Sequence, residues 1–235
     1  MKNLKLLWIN LVLALFWFLV IIVIFSIYFG GNGTAEAEIP QKISDNIATL
    51  ILIVQVLIFA TLYFSCKKDN FSLFKEGWKL PNRTLTLTDI AYGVITGLIL
   101  SVIYFYILSP FQTYLQKTIG DYVPSGETMN ALGKQPIQFF IANVVFAPFV
   151  EESLYRNYSL TRFQEKFSVK KSILLSALFF GLLHWTGGFW YILMTGLFIG
   201  IPFAIITVKR KSILWVFVAH LTLNLIEFVY INYNA

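Results

Sequence analysis

Charge is scarce in this chain, and two side chains that carry much of protein chemistry are nearly missing. Of its 235 residues only 13% are charged, one is cysteine and two are histidine. A soluble domain carries about 25% charged residues, so an ordinary water-facing globular surface is excluded. The lone cysteine, Cys66, excludes an internal disulfide framework and a cysteine-built metal site. The zinc-protease pattern His-Glu-x-x-His is absent. No serine or cysteine stands in a triad arrangement, since Cys66 has no histidine near it in sequence. No internal repeat or low-complexity tract stands out.

What the chain has instead is apolar length. It is 57% hydrophobic, with a mean hydropathy of +0.72. Crossing a bilayer core takes ~20 apolar residues. Seven segments qualify: Leu6–Tyr28, Ile47–Ser65, Ile90–Ser109, Ile137–Glu152, Ser172–Trp185, Phe189–Val208 and Ser212–Ile231. The fourth and fifth are short. They reach full length only if the polar flank after Val150, and the turn at Gly187 and Gly188, lie partly at membrane depth, where irregular backbone is tolerated beside a cavity. The expectation is an all-α, polytopic transmembrane bundle of about seven spans. It forms one integral domain, with 1–135 as three N-terminal spans and 136–235 as a core of four.

The basic residues orient it. With the N-terminus in the cytoplasm, Lys2 and Lys5, the 66–89 and 153–171 loops and the turn at Lys209, Arg210 and Lys211 hold 15 of the 18 Lys and Arg. Only Lys42, Lys117 and Lys134 fall outside. That asymmetry is the positive-inside pattern. The net charge of +6 is then a topology signal with some attraction to anionic lipid, and it does not indicate nucleic acid. The first span has a basic start, and Ala35-Glu36-Ala37 resembles a cleavage site. Its apolar run exceeds the ~7–15 residues of a signal peptide, so it reads as a retained helix. The longest outer segment, Phe111 to Gln135, contains the breakers Gly120, Pro124, Gly126 and Gly133. Gly196 and Gly200 form a Gly-x-x-x-Gly that suits close helix contact.

The scarcest polar residues sit where burial costs most. His184 and His220 both lie inside apolar runs, and the run Phe139 to Val150 ends in Glu151 and Glu152. An ionisable group at membrane depth costs at least ~2.5–3.5 kcal/mol on insertion scales and is a functional candidate by default. Glu152 and Arg156 are i and i+4, the favourable order for an ion pair on one helix face. Glu151 points ~100° away on an α-helix and needs another partner. His220 and Asn224, also i and i+4, share a face. With span four ending near Leu160, Glu151, His184, His220 and Asn224 reach similar depths, ~12–18 Å from the inner helix ends. They converge only around a cavity open to the cytoplasmic half. Such a set suits amide hydrolysis, with a Glu as base on a water and His or Asn donors for the oxyanion. A zinc site built from His, His and Glu is the alternative.

Glu151-Glu152-x-x-x-Arg156, Phe180-x-x-x-His184 and His220-x-x-x-Asn224, in that order, resemble the three motifs of intramembrane endopeptidases related to the type II, glutamate-dependent CAAX prenyl protease. That group includes bacteriocin-processing, self-immunity and lysostaphin-resistance-like proteins. The resemblance covers about Pro136 to Asn224. It implies an integral membrane enzyme of the bacterial cell membrane, acting on a prenylated or membrane-associated peptide or protein. Glu151 would be the general base and His184 would hold the water. His220 and Asn224 would steady the oxyanion, and Glu152 and Arg156 would support the site. No cofactor is required by this picture, and zinc is left open. Two readings compete with it: a non-proteolytic immunity or regulatory protein, and a transporter with a polar midplane. The transporter reading lacks the two-fold repeat of broken helices that many transporters show.

Overall fold

A computed structural model describes residues 2–80, 82–123 and 135–234, and among these every regular element is helical. Six helices among the described residues are long and apolar enough to cross a membrane. They are α1 (Leu4–Gly31), α2 (Ile47–Lys68), α3 (Arg83–Thr118), α4 (Pro136–Gln164), α6 (Phe189–Arg210) and α7 (Leu214–Asn234). Between α4 and α6 lies α5 (Val169–Leu183). Its 15 residues rise only ~22 Å, short of a ~30 Å hydrocarbon core. The fifth expected span is therefore a short helix, ended by His184 and the Trp185–Gly187 turn. Gly188 at φ 96° then starts α6 in a conformation that side-chain-bearing residues rarely adopt.

Two other boundaries differ from the sequence expectation. Phe111–Thr118 continues α3 rather than forming loop. The helix of span four runs on to Gln164, four residues past the expected end near Leu160, and Arg156 is buried on it beside Glu152, as the i, i+4 spacing expects. Pro124, Gly126 and Gly133 lie outside the described residues.

Several helices contain widened π turns. Three of these, Tyr104–Leu108, Phe140–Phe146 and Thr195–Gly200, end two residues before Pro110, Pro148 and Pro202. Proline lacks an N–H, and its ring crowds the carbonyl four residues back. Widening the preceding turn relieves that crowding without ending the helix.

α4 is the centre of the bundle and touches α1, α2, α5, α6 and α7. α3 lies along α7, and α5 packs on α6. Gly200 permits the second contact, because a Cβ there would come within 3.0 Å of the Ala177 Cα. The Gly-x-x-x-Gly thus serves close helix approach. The cationic helix ends gather at one end of the bundle. There Lys5 Nζ lies 2.7 Å from Asp69 Oδ2, the Tyr158 hydroxyl donates to that oxygen at 3.1 Å, and Arg210 pairs with the buried Asp89 at 2.6 Å. Burial pushes the Asp69 carboxyl up, but hydrogen bonds from Lys5 and Tyr158 outweigh it and hold the group below its ordinary range.

Candidate active site

The polar residues singled out in the sequence come together against α4. Glu151 closes one stretch of that helix, and Glu152–Ser159 follows as a π turn whose eight residues are all buried. π turns inside helices recur at functional sites. The Tyr155 carbonyl in this segment accepts a bond from Ser176 Oγ at 2.9 Å, and the Trp78 indole donates to Ser153 Oγ at 2.9 Å. Such bonds fix the segment from two neighbouring elements.

Glu152 lies under the site. Its Oε1 is 2.8 Å from His220 Nδ1, and its Oε2 is 3.3 Å from Arg156 Nε. Both members of the Glu152–Arg156 pair have fully buried side chains. The contact lacks hydrogen-bond alignment, and among the described residues the Arg156 nitrogens have no acceptor. Aromatic faces surround the guanidinium instead. Its carbon lies 3.8 Å over the Phe180 ring and 5.4 Å from that of Phe203, at cation–π range.

Both imidazoles are oriented through Nδ1. His184 sits at the C-terminal end of α5 and donates from Nδ1 to the Phe180 carbonyl, 2.8 Å away. Histidine there completes the last turn of the helix. His220 donates from Nδ1 to Glu152. The Nε2 atoms are left facing a single carboxylate oxygen, Glu151 Oε2, at 3.9 Å from His184 and 4.0 Å from His220. That oxygen is buried and has no hydrogen-bond partner among the described residues. The gaps suit one water molecule that would donate to two of the three acceptors.

Zinc fits the donor types but not their placement. Ligands at ~2.0–2.1 Å from zinc stand about 3.4 Å apart, closer than the 3.9 and 4.0 Å found here. Among the described residues no group of three or more His, Cys, Asp or Glu is placed to hold a metal.

Two openings meet at Glu151. One is a polar cavity of about 80 Å³ whose lining includes Glu151, His184, His220 and Asn224. Asn224 uses one of its two amide N–H groups to donate from Nδ2 to the Asn143 carbonyl at 2.7 Å. The other opening is a largely apolar groove of about 210 Å³ with Phe18, Ile51, Val54, Ile58 and Trp185 in its walls. Glu151, His184 and Asn143 line both. α1 and α2, which carry no motif, thus wall the groove beside the carboxylate.

Tyr104, Tyr191 and Glu227 also line the polar cavity and were not found from the sequence. Glu227 did leave a signal, because His220, Asn224 and Glu227 follow an i, i+4, i+7 spacing on α7. The Tyr104 hydroxyl lies beside both Tyr191 and Glu227. Glu151 lies 13 residues before the end of α4 at Gln164, or ~20 Å. Tyr191 is 19 residues from Arg210 on α6, and Glu227 is seven residues past His220, the α7 residue that faces Glu151, so both lie farther from the cationic end than the Glu151–His220 contact.

Comparisons with known proteins match the part of the chain that holds Glu151, His184, His220 and Asn224. Residues 133–226 match the family described as Type II CAAX prenyl endopeptidase Rce1-like. The UPF0177 protein YbdI of Lactococcus lactis subsp. lactis (strain IL1403) is 30% identical over 131 residues, which cover 55% of this chain. The chain spans 66% of the length of that relative. No solved structure matches it significantly.

Proposed function

We propose, taking the Rce1-like character of residues 133–226 as premise, that this integral membrane chain is an intramembrane endopeptidase. Glu151 is its general base. The family suggests a CAAX-type protease, and the geometry supplies the chemical parts. The observation that carries the reading is the convergence of both Nε2 atoms on the unpartnered Glu151 Oε2.

A water between these three atoms loses a proton to Glu151 as its oxygen attacks the scissile carbonyl. Glu152 holds the Nδ1–H of His220, so Nε2 stays turned toward the reacting centre. A His220 that enters the reaction already protonated on both nitrogens donates from Nε2 to the oxyanion and keeps that proton throughout. Asn224 on the same helix face supplies another donor. The protonated Glu151 then passes its proton to the leaving amine. The apolar groove takes the hydrophobic part of the substrate, which is a membrane-associated or prenylated peptide. If the cationic end faces the cytoplasm, as the positive-inside rule directs, the chemistry takes place near the bilayer midplane.

The test is cleavage of quenched, membrane-anchored peptides, prenylated and plain, by purified wild type and Glu151→Gln. Loss of the base is expected to lower the rate by ~10²–10⁴-fold, with activity retained in chelator. Loss of wild-type activity in chelator would replace the glutamate mechanism with a metal one. No cleavage by folded wild type across the panel would favour a binding or immunity role.

A further inference from the structure

Glu227 is a carboxylate at membrane depth that the proposed hydrolysis does not use. It lines the polar cavity together with Tyr104 and Tyr191. Two buried carboxylates of the bundle have cationic partners: Glu152 has Arg156, and Asp89 has Arg210. The half-buried Glu227 has the Tyr104 hydroxyl beside it instead. Among the described residues that line this cavity, two are carboxylates, Glu151 and Glu227, and none is Lys or Arg. The cavity wall thus carries acid and aromatic surface, with His184 and His220 near Glu151 but no Lys or Arg.

We infer that the far end of the cavity, formed by Glu227, Tyr104 and Tyr191, binds an alkylammonium group of the substrate, such as a lysine side chain next to the scissile bond. Three features of the site support this. Glu227 supplies a charge that an ammonium would neutralise inside a low-dielectric wall, where the attraction is strong. Tyr104 and Tyr191 supply hydroxyl acceptors and ring faces, which attract ammonium ions at close range. The whole cavity, about 80 Å³, equals roughly three waters at ~30 Å³ each, so beside the attacking water it has room for an ammonium group. Position agrees as well. Glu227 is seven residues past His220 on α7, ~10 Å along the helix axis, so the ammonium would sit about one residue's reach beyond the bond that Glu151 attacks.

The inference rests on the peptidase reading, and the experiment separates the two. Membrane-anchored peptides that differ only in having lysine or norleucine beside the scissile bond are cleaved by wild type, Glu227→Gln and Glu227→Asp. In wild type, kcat/KM is expected to favour lysine by at least about tenfold. Glu227→Gln should bring that ratio near one, mainly through KM for the lysine peptide, and Glu227→Asp should restore part of it. A wild-type ratio near one overturns the inference. So does an equal loss on both peptides in Glu227→Gln, which would mark a proton-transfer or structural role. The second measurement needs no catalysis. Millimolar n-butylammonium should raise the thermal unfolding midpoint of wild type and of Glu151→Gln, but not that of Glu227→Gln, and neutral n-pentanol should not reproduce the difference. If no peptide is cleaved but this shift is present, the peptidase reading fails and the ammonium site stands. If the shift is absent as well, both fail.

Discussion

His220 Nδ1 and Glu152 Oε1 are 2.8 Å apart, and this bond ties the orientation of a site imidazole to an ion pair beneath it. The other oxygen of Glu152 faces Arg156 at 3.3 Å, with both side chains fully buried. Three charged or chargeable groups therefore share one dry position. Their contribution is mutual, because each is costly when left alone.

That mutual dependence makes a double-mutant cycle informative. Glu152→Gln leaves the Arg156 charge buried and is expected to destabilise the chain by ~3–5 kcal/mol. Replacing both residues, with Glu152→Gln and Arg156→Met, removes the orphaned charge and should recover most of that loss. Thermal unfolding in detergent of the wild type, both single variants and the double variant reads the coupling. Additive effects would show that the pair is not an energetic unit.

Asn224 offers a second test, at the level of chemistry. One of its two amide hydrogens is engaged by the Asn143 carbonyl at 2.7 Å, and the residue lines the polar cavity. Loss of one oxyanion donor costs ~10²–10³ in kcat, whereas loss of one hydrogen bond costs only ~1 kcal/mol of stability. Asn224→Ala is therefore expected to lower kcat far more than it raises KM or lowers the unfolding midpoint. A variant that loses stability and activity in proportion would limit Asn224 to holding α4 against α7.

The site was legible because burial of polar groups is so costly in this setting. Two histidines and a Glu pair inside apolar runs could be found without any structure, and the cation count gave the alternation of the helices. Less could be read where apolar residues carry no pattern. α1 and α2 look like generic spans, yet Phe18 and Val54 wall the groove at Glu151. Ser172–Trp185 is short as an apolar run and counts as a full span only with the Gly187–Gly188 turn at membrane depth; the helix stops at Leu183, and Gly188 turns the chain. The extension of α3 to Thr118 was hidden by Gln112, Gln116 and Lys117, polar residues in what proved to be its last turns. The π turns were overlooked, although three of them are marked by a proline two residues on. Glu227 was missed because the α7 reading stopped at the His220–Asn224 pair.

The turn after His184 gives the last prediction. Asp121, on the segment after α3, reaches the start of α6 and accepts from the Phe189 N–H at 2.8 Å and from the Trp190 N–H at 3.3 Å, besides the Tyr122 N–H at 2.7 Å. It acts as an N-cap supplied from outside the helix. Nearby, the Tyr122 hydroxyl donates to the Trp185 carbonyl and the Trp190 indole to the Gly120 carbonyl, so one short segment holds both sides of the turn. Burial pushes the Asp121 carboxyl up, but the three backbone hydrogen bonds outweigh it and hold the group below its usual 3.8. A carboxyl with a lowered folded-state pKa stabilises the fold above its unfolded-state pKa, and this contribution fades as pH falls through the folded value. Asp121→Ala is therefore expected to cost ~1 kcal/mol at pH 7, within the range for a lost N-cap. The difference from wild type should shrink as pH falls below about 4. Unfolding midpoints of both proteins between pH 3 and pH 7 test this. A gap that stayed constant over the range would mean that Asp121 holds the turn through packing and not through its charge.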